Sequence, residues 1–186
     1  MRERDDKPEA DLIEQVRAGH REAFGQLVEP HIPRLLGLAR RMLGNGEEAE
    51  DALQNALAST WIARAKLDPA MPVAAFLTTV TLNKCRDRLR RRKVTRLIGL
   101  DVSEPVLPVA DEEPDAEAKL ADRQALENTW QAIERLPLRL REALILVAVE
   151  GRSQREVAEL LGVTEKAIET RIYRARQRLR EKLNFV

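Results

Sequence analysis

Cysteine, histidine and aromatic side chains are scarce in this 186-residue chain, which holds one Cys, two His and 3% Phe, Trp and Tyr. A single Cys excludes a disulfide framework, and one Cys with two His cannot build a Cys/His zinc cluster. A reducing compartment fits that composition best. Long apolar runs are also missing: the longest is Ala143 to Val149, far short of the ~20 residues that a membrane-spanning helix needs. Met1 to Asp11 is too charged for a signal peptide, so a soluble, cytoplasmic protein is expected. No paired carboxylates lie beside a nucleophile, and His20 and His31 stand isolated; no enzyme, metal site, cofactor or small-molecule substrate is expected. What remains is a Gly-poor chain with 34% charged residues, a composition that favours helices over sheets.

The formal net charge of +1 looks unsuited to a polyanionic partner, but it is a cancellation. Met1 to Met71 carries −3, Pro72 to Leu100 +7, Asp101 to Ala118 −7 and Lys119 to Val186 +4. Two basic blocks are thus separated by an acidic one that also contains Pro105, Pro108 and Pro114 and has no helical period; it reads as a linker.

Helices are legible on both sides of that segment. Glu9 to Ala18 forms a short helix ended by Gly19, and Arg21 to Leu43 a longer one bent at Pro30 and Pro33. Asn45 is placed to cap a third, from Gly46 to about Ala65, with four acidic residues in its first turns. Pro72 opens a fourth, to about Lys93. Four more are expected over Asp122 to Glu134, Leu138 to Val149, Gln154 to Leu161 and Glu165 to Leu183.

The last two are the most informative. Ser153 and Glu156 have capping-box spacing, Gly162 suits a tight turn, and Thr164 can cap the next helix. Ile168, Ile172, Ala175 and Leu179 then share one stripe. The opposite face presents Lys166, Thr170, Tyr173, Arg174 and Gln177, flanked by Glu169 and Arg176. This is a helix-turn-helix with groove-compatible side chains. The fourth helix carries seven cations between Lys84 and Lys93, more than its dipole needs, and reads as a phosphate track. Cys85 falls on its apolar stripe and reads as a packed thiol, and Trp61 as a core residue.

Taken in order, Ala39-Arg-Arg-Met-Leu-Gly44, Ala49-Glu-Asp-Ala-Leu-Gln54 through Trp61, Phe76-Leu, Asn83, Asp87-Arg-Leu-Arg-Arg91, Leu136-Pro137, Arg141-Glu142, Glu150-Gly151 and the helix-turn-helix ending Arg174-Ala-Arg176 resemble the extracytoplasmic-function (ECF) group of RNA polymerase sigma factors. The resemblance implies an all-α fold of two small helical domains, sigma domain two and sigma domain four, joined by an acidic flexible linker. On this sequence the parts are an N-terminal tail (1–8), domain two (9–95), the linker (96–118) and domain four (119–186). It further implies a dissociable subunit that binds core RNA polymerase and promoter DNA and is controlled by an anti-sigma factor. By resemblance, Asp51, Gln54 and Asn55 meet the polymerase, steered by the acidic charge of their helix. Asn83, Lys84, Arg88 and Arg91, with the loop 66–74, hold the unwound minus-ten strand, and Lys166, Glu169, Thr170, Arg171, Tyr173 and Arg174 read the minus-thirty-five element.

Three departures or ambiguities remain open at this level. The family usually has Trp where this chain has Phe76, and Thr78, Thr79 and Thr81 give no stacking platform, so weak, promoter-selective melting is expected. The linker is either a solvated spacer or a mimic of RNA charge in the polymerase channel. Glu169 stands where relatives often carry a basic residue; it either accepts from a cytosine or pairs on its own helix with Tyr173 or Arg176. A stand-alone helix-turn-helix regulator is the alternative function, but it leaves the acidic third and basic fourth helices unexplained.

Overall fold

The computed structural model describes residues 8–97 and 116–183, and the side chains of 8–95 and 124–183. Among the described residues all regular structure is helical: α1 (Glu9–Arg17), α2 (Arg21–Val28), α3 (Ile32–Leu43), α4 (Gly46–Ile62), α5 (Val73–Leu97), α6 (Ala116–Glu134), α7 (Leu138–Leu144), α8 (Gln154–Leu161) and α9 (Glu165–Leu183). Much of the linker reading falls on 98–115, outside the described residues.

The breaks have local causes. The long second helix expected from sequence is divided, because Pro30 forces a 3-10 turn at Glu29–His31 and Pro33 restarts the chain in the first turn of α3. Asn45 caps α4 by accepting from the Glu48 N–H at 2.9 Å. That helix ends at Ile62 rather than Ala65, and Arg64–Lys66 closes as a 3-10 turn. The N-terminus of α5 is tied to α1, where the Glu9 carboxylate accepts from Val73 N–H at 2.9 Å. The apolar run at the end of α7 widens into a π-helical turn, Ile145–Val149.

Two cores result. Leu12, Ile13 and Val16 of α1 pack with Leu27, Leu35, Leu53 and Leu77 at one end of the molecule. The second core crosses between the halves: Leu38, Met42, Leu82 and Cys85 join Leu140, Leu144, Ile145, Leu146, Ile168 and Ile172. The small buried residues Ala49, Ala52 and Ala56 give α4 a face that α3 and α5 can approach closely.

Arginine–carboxylate pairs frame this junction. Glu142, 4% exposed, accepts from Arg86 Nε at 2.5 Å and Nη2 at 3.2 Å. Glu150, also 4% exposed, accepts from Arg41 at 2.8 Å and Arg34 at 3.4 Å. Buried Arg141 donates to the carbonyl of Met42 at 2.8 Å and to that of Glu134, and Arg92 donates to that of Leu43 at 2.9 Å. The last turn of α3 lies inside the molecule, and these cations satisfy carbonyls that its helix leaves unpaired, at the negative end of its dipole. Burial lowers the Arg141 pKa, opposed by the charge of Glu134, and burial raises that of Glu134, opposed by Arg141. Gly44 ends α3 at φ 66°, and a Cβ there would lie 1.9 Å from Glu134 Oε1.

Candidate nucleic-acid interface

Ser153 and Glu156 form the expected capping box: the Glu156 N–H donates to Ser153 Oγ at 3.2 Å, and the Ser153 N–H to Glu156 Oε2 at 2.8 Å. The Ser153 hydroxyl, which donates to Glu156 Oε2 at 2.7 Å, and the Ser153 N–H hold the Glu156 carboxyl below its usual range. Gly162 turns the chain at φ 64°, and Thr164 Oγ1 accepts from Ala167 N–H at 3.2 Å to start α9. Ile168, Ile172 and Ala175 are buried against α7 and α8, which fixes the rotation of α9 and therefore the face it shows to solvent.

That face carries Lys166, Glu169, Tyr173 and Arg174, all exposed, with Thr170 and Arg171 half-buried beside them. Tyr173 is 67% exposed. The Thr170 hydroxyl donates to the Lys166 carbonyl at 2.9 Å. Glu169 pairs with Lys166, Oε2 to Nζ 2.7 Å, rather than with Tyr173 or Arg176. Arg171, Arg174, Arg176, Arg178 and Arg180 make no ion pair among the described residues. Their charge is therefore available to a phosphate backbone.

The basic end of α5 is different. Of the seven cations from Lys84 to Lys93, Arg86 is bound to Glu142 and Asn83, Arg88 to Glu48 and Asp51, Arg92 to Glu48, and Arg90, weakly, to Asp87 at 3.7 Å. Lys84, Arg91 and Lys93 have no ion pair among the described residues. Much of what reads in sequence as a phosphate track thus holds α4 and α7 against α5. Asn83 is exposed, but its Oδ1 accepts from Arg86 at 2.7 Å.

The same pairing corrects the expected acidity of α4. Glu48 and Asp51 are matched by α5, and Glu50 by Arg40 at 3.1 Å; these partners cancel most of the steering charge expected there. Gln54 and Asn55 remain exposed. Asn55 lines a small hollow with Ala52, Lys84, Asp87, Arg88 and Arg91, so residues separately assigned to polymerase and to minus-ten DNA meet on one surface. In the loop before α5, Leu67 is buried and Met71 is 59% exposed. Thr78 and Thr81 are wholly buried, Thr78 accepting from Arg34 at 2.8 Å and Arg152 at 3.3 Å. Trp61 is half-buried against Phe24, with Arg64 over its ring at 4.8 Å. Cys85 is fully buried, and burial, reinforced by Glu142, pushes its thiol pKa up to about 12.

Residues 27–95 match the family model for sigma-70 region 2, and residues 126–179 that for sigma-70 region 4. The chain is 36% identical to the RNA polymerase sigma factor CnrH of Cupriavidus metallidurans, over 90% of each chain. This chain belongs to the ECF sigma factors. The ECF sigma factor SigM of Mycobacterium tuberculosis is 35% identical over 98% of this chain and 88% of its own. Among solved structures, that of CnrH in complex with the cytosolic domain of CnrY superposes with a TM-score of 0.67 at 31% identity, covering 96% of this chain and 98% of the other. That of the sigma factor RpoE of Bartonella quintana in complex with the anti-sigma factor NepR gives 0.69 at 25% identity, covering 87% and 97%. No helix among the described residues is long and apolar enough to cross a membrane.

The junction arginines and carboxylates are the residues that sequence reasoning missed. Arg141, Glu142 and Glu150 were visible only as family markers, and their partners Met42, Arg86, Arg34 and Arg41 lie 56 to 116 residues away. Nothing in local spacing signals such pairs.

Proposed function

We propose that this sigma factor acts in the cytoplasm as a non-catalytic specificity subunit, docking on core RNA polymerase through residues 9–95 and reading the minus-thirty-five element through residues 119–186. The carrying observation is α9: a helix locked in rotation by its buried stripe, presenting a mixed polar face and five arginines without ion pairs among the described residues. Lys166, Glu169, Thr170, Arg171, Tyr173 and Arg174 face the major groove in this reading. Asp51, Gln54 and Asn55 meet the polymerase, and Asn83, Lys84, Arg88 and Arg91 meet the minus-ten strand, assisted by the exposed Met71. Lys84 and Arg91 carry most of the phosphate contact, because Arg88 must first leave Asp51.

Two elements named for positions ten and thirty-five lie about 25 base pairs apart, roughly 85 Å at 3.4 Å per step. A folded unit of this size has a radius of gyration of only about 15 Å. The packed arrangement therefore cannot span both elements, and its halves part when both are held. By analogy with RpoE, solved in complex with the anti-sigma factor NepR, an anti-sigma partner binds and controls this chain.

Band shifts with promoter duplex, with and without core polymerase, separate this reading from a stand-alone regulator. Specific binding at physiological salt that requires core enzyme supports it; equally specific binding by the chain alone favours the regulator.

A further inference from the structure

We infer that the Lys166–Glu169 ion pair is a single reading element that selects one C·G base pair of the minus-thirty-five element. This rests on the proposed seating of α9 in the major groove. Both residues fall within the first five of α9, where a recognition helix approaches base edges. They point away from the buried stripe, with side chains 80% and 56% exposed. At 2.7 Å from each other, an ammonium donor and a carboxylate acceptor sit side by side.

A carboxylate on a DNA-facing surface is repelled by phosphate and has use only for a donor. The major groove offers two kinds, cytosine N4 and adenine N6. The adjoining ammonium favours cytosine: in a C·G pair guanine O6 and N7 lie together on the partner base, two neighbouring acceptors that one ammonium can bridge, whereas in an A·T pair the acceptors N7 and O4 stand apart on either side of the adenine amino group. The ion pair thus repeats, with opposite polarity, the donor–acceptor edge of one C·G pair. Glu169 accepts from cytosine N4 while Lys166 donates to guanine. The pair is neutral as a unit, so it costs little electrostatically on approach, and its order along the helix distinguishes C·G from G·C.

The test is selection from a promoter library randomised across the minus-thirty-five element, using holoenzyme assembled from core polymerase and full-length chain. Wild type is expected to enrich C·G at one position, by about tenfold over other pairs. Glu169→Ala should flatten that position alone, and Glu169→Gln should move it toward adenine, which a carboxamide bonds through N6 and N7. The charge-reversed double variant Lys166→Glu/Glu169→Lys should prefer G·C there. Both side chains are exposed, and circular dichroism checks that each variant is folded. Unchanged preference at every position in Glu169→Ala, or uniformly tighter binding without a change in preference, overturns the inference while leaving the seating of α9 intact. Absence of any minus-thirty-five enrichment by wild type overturns both.

Discussion

Replacing Glu142 by alanine tests whether the arginine pairs hold the halves together. Glu142 is 4% exposed and takes two bonds from Arg86, which is itself 24% exposed. Breaking a buried pair costs 3–5 kcal/mol, and the partial access of water to Arg86 places this case at the lower end, about 3 kcal/mol. Glu150 is equally buried, but Arg34 and Arg41 are 34% and 37% exposed and one contact is 3.4 Å long. Its guanidinium partners rehydrate when it is removed, so Glu150→Ala should cost only about 1.5 kcal/mol. In urea, with a slope of about 2 kcal/mol/M, Glu142→Ala lowers the midpoint by about 1.5 M and Glu150→Ala by about half that. Glu142→Gln, which keeps an acceptor, should lie between wild type and Glu142→Ala. A cycle with Arg86→Ala should show a coupling of at least about 1 kcal/mol. Because one core crosses both halves, wild type should unfold in a single transition. A cost for Glu142→Ala below about 1 kcal/mol, or below that of Glu150→Ala, would refute the burial argument.

Gly44→Ala forces a side chain into left-handed backbone and displaces the flexible end of Glu134; thermal denaturation should show a loss of about 1–2 kcal/mol. Ser153→Ala removes the capping hydroxyl of α8 and should cost about 1 kcal/mol at neutral pH. The lowered Glu156 pKa makes its share of the box a stabilising contribution that is present above the ordinary glutamate range and lost as pH falls through the lowered value. The difference between wild type and Ser153→Ala should therefore narrow in acid, the cap from the Glu156 N–H to Ser153 Oγ remaining. Cys85, buried and held protonated, should resist iodoacetamide at pH 8 in the folded protein and react when urea opens the shared core; rapid native labelling would contradict the placement of α5.

The helices were legible because their signals are local. Asn45, Ser153 with Glu156, Gly162 and the stripe Ile168, Ile172, Ala175 each act within one or two turns, and each does in the structure what its spacing implied. Pro30 was legible as a bend, but the chain divides there into two helices joined by a 3-10 turn. Long-range pairing was not. A run such as Arg86 to Lys93 looks strongly basic in sequence, yet Arg86, Arg88 and Arg92 spend their charge on Glu142, Asp51 and Glu48, whereas the similar run in α9 keeps its charge free among the described residues. Charge order along a chain locates candidate surfaces, but only packing shows which charges remain to meet DNA.

The most direct measurement is run-off transcription on a genomic library with purified chain and core RNA polymerase. The expected result is initiation at a restricted promoter set sharing two spaced elements, lost when Arg174 and Arg171 are replaced by alanine. Failure of the folded chain to direct any initiation, with no anti-sigma factor present, would contradict the assignment.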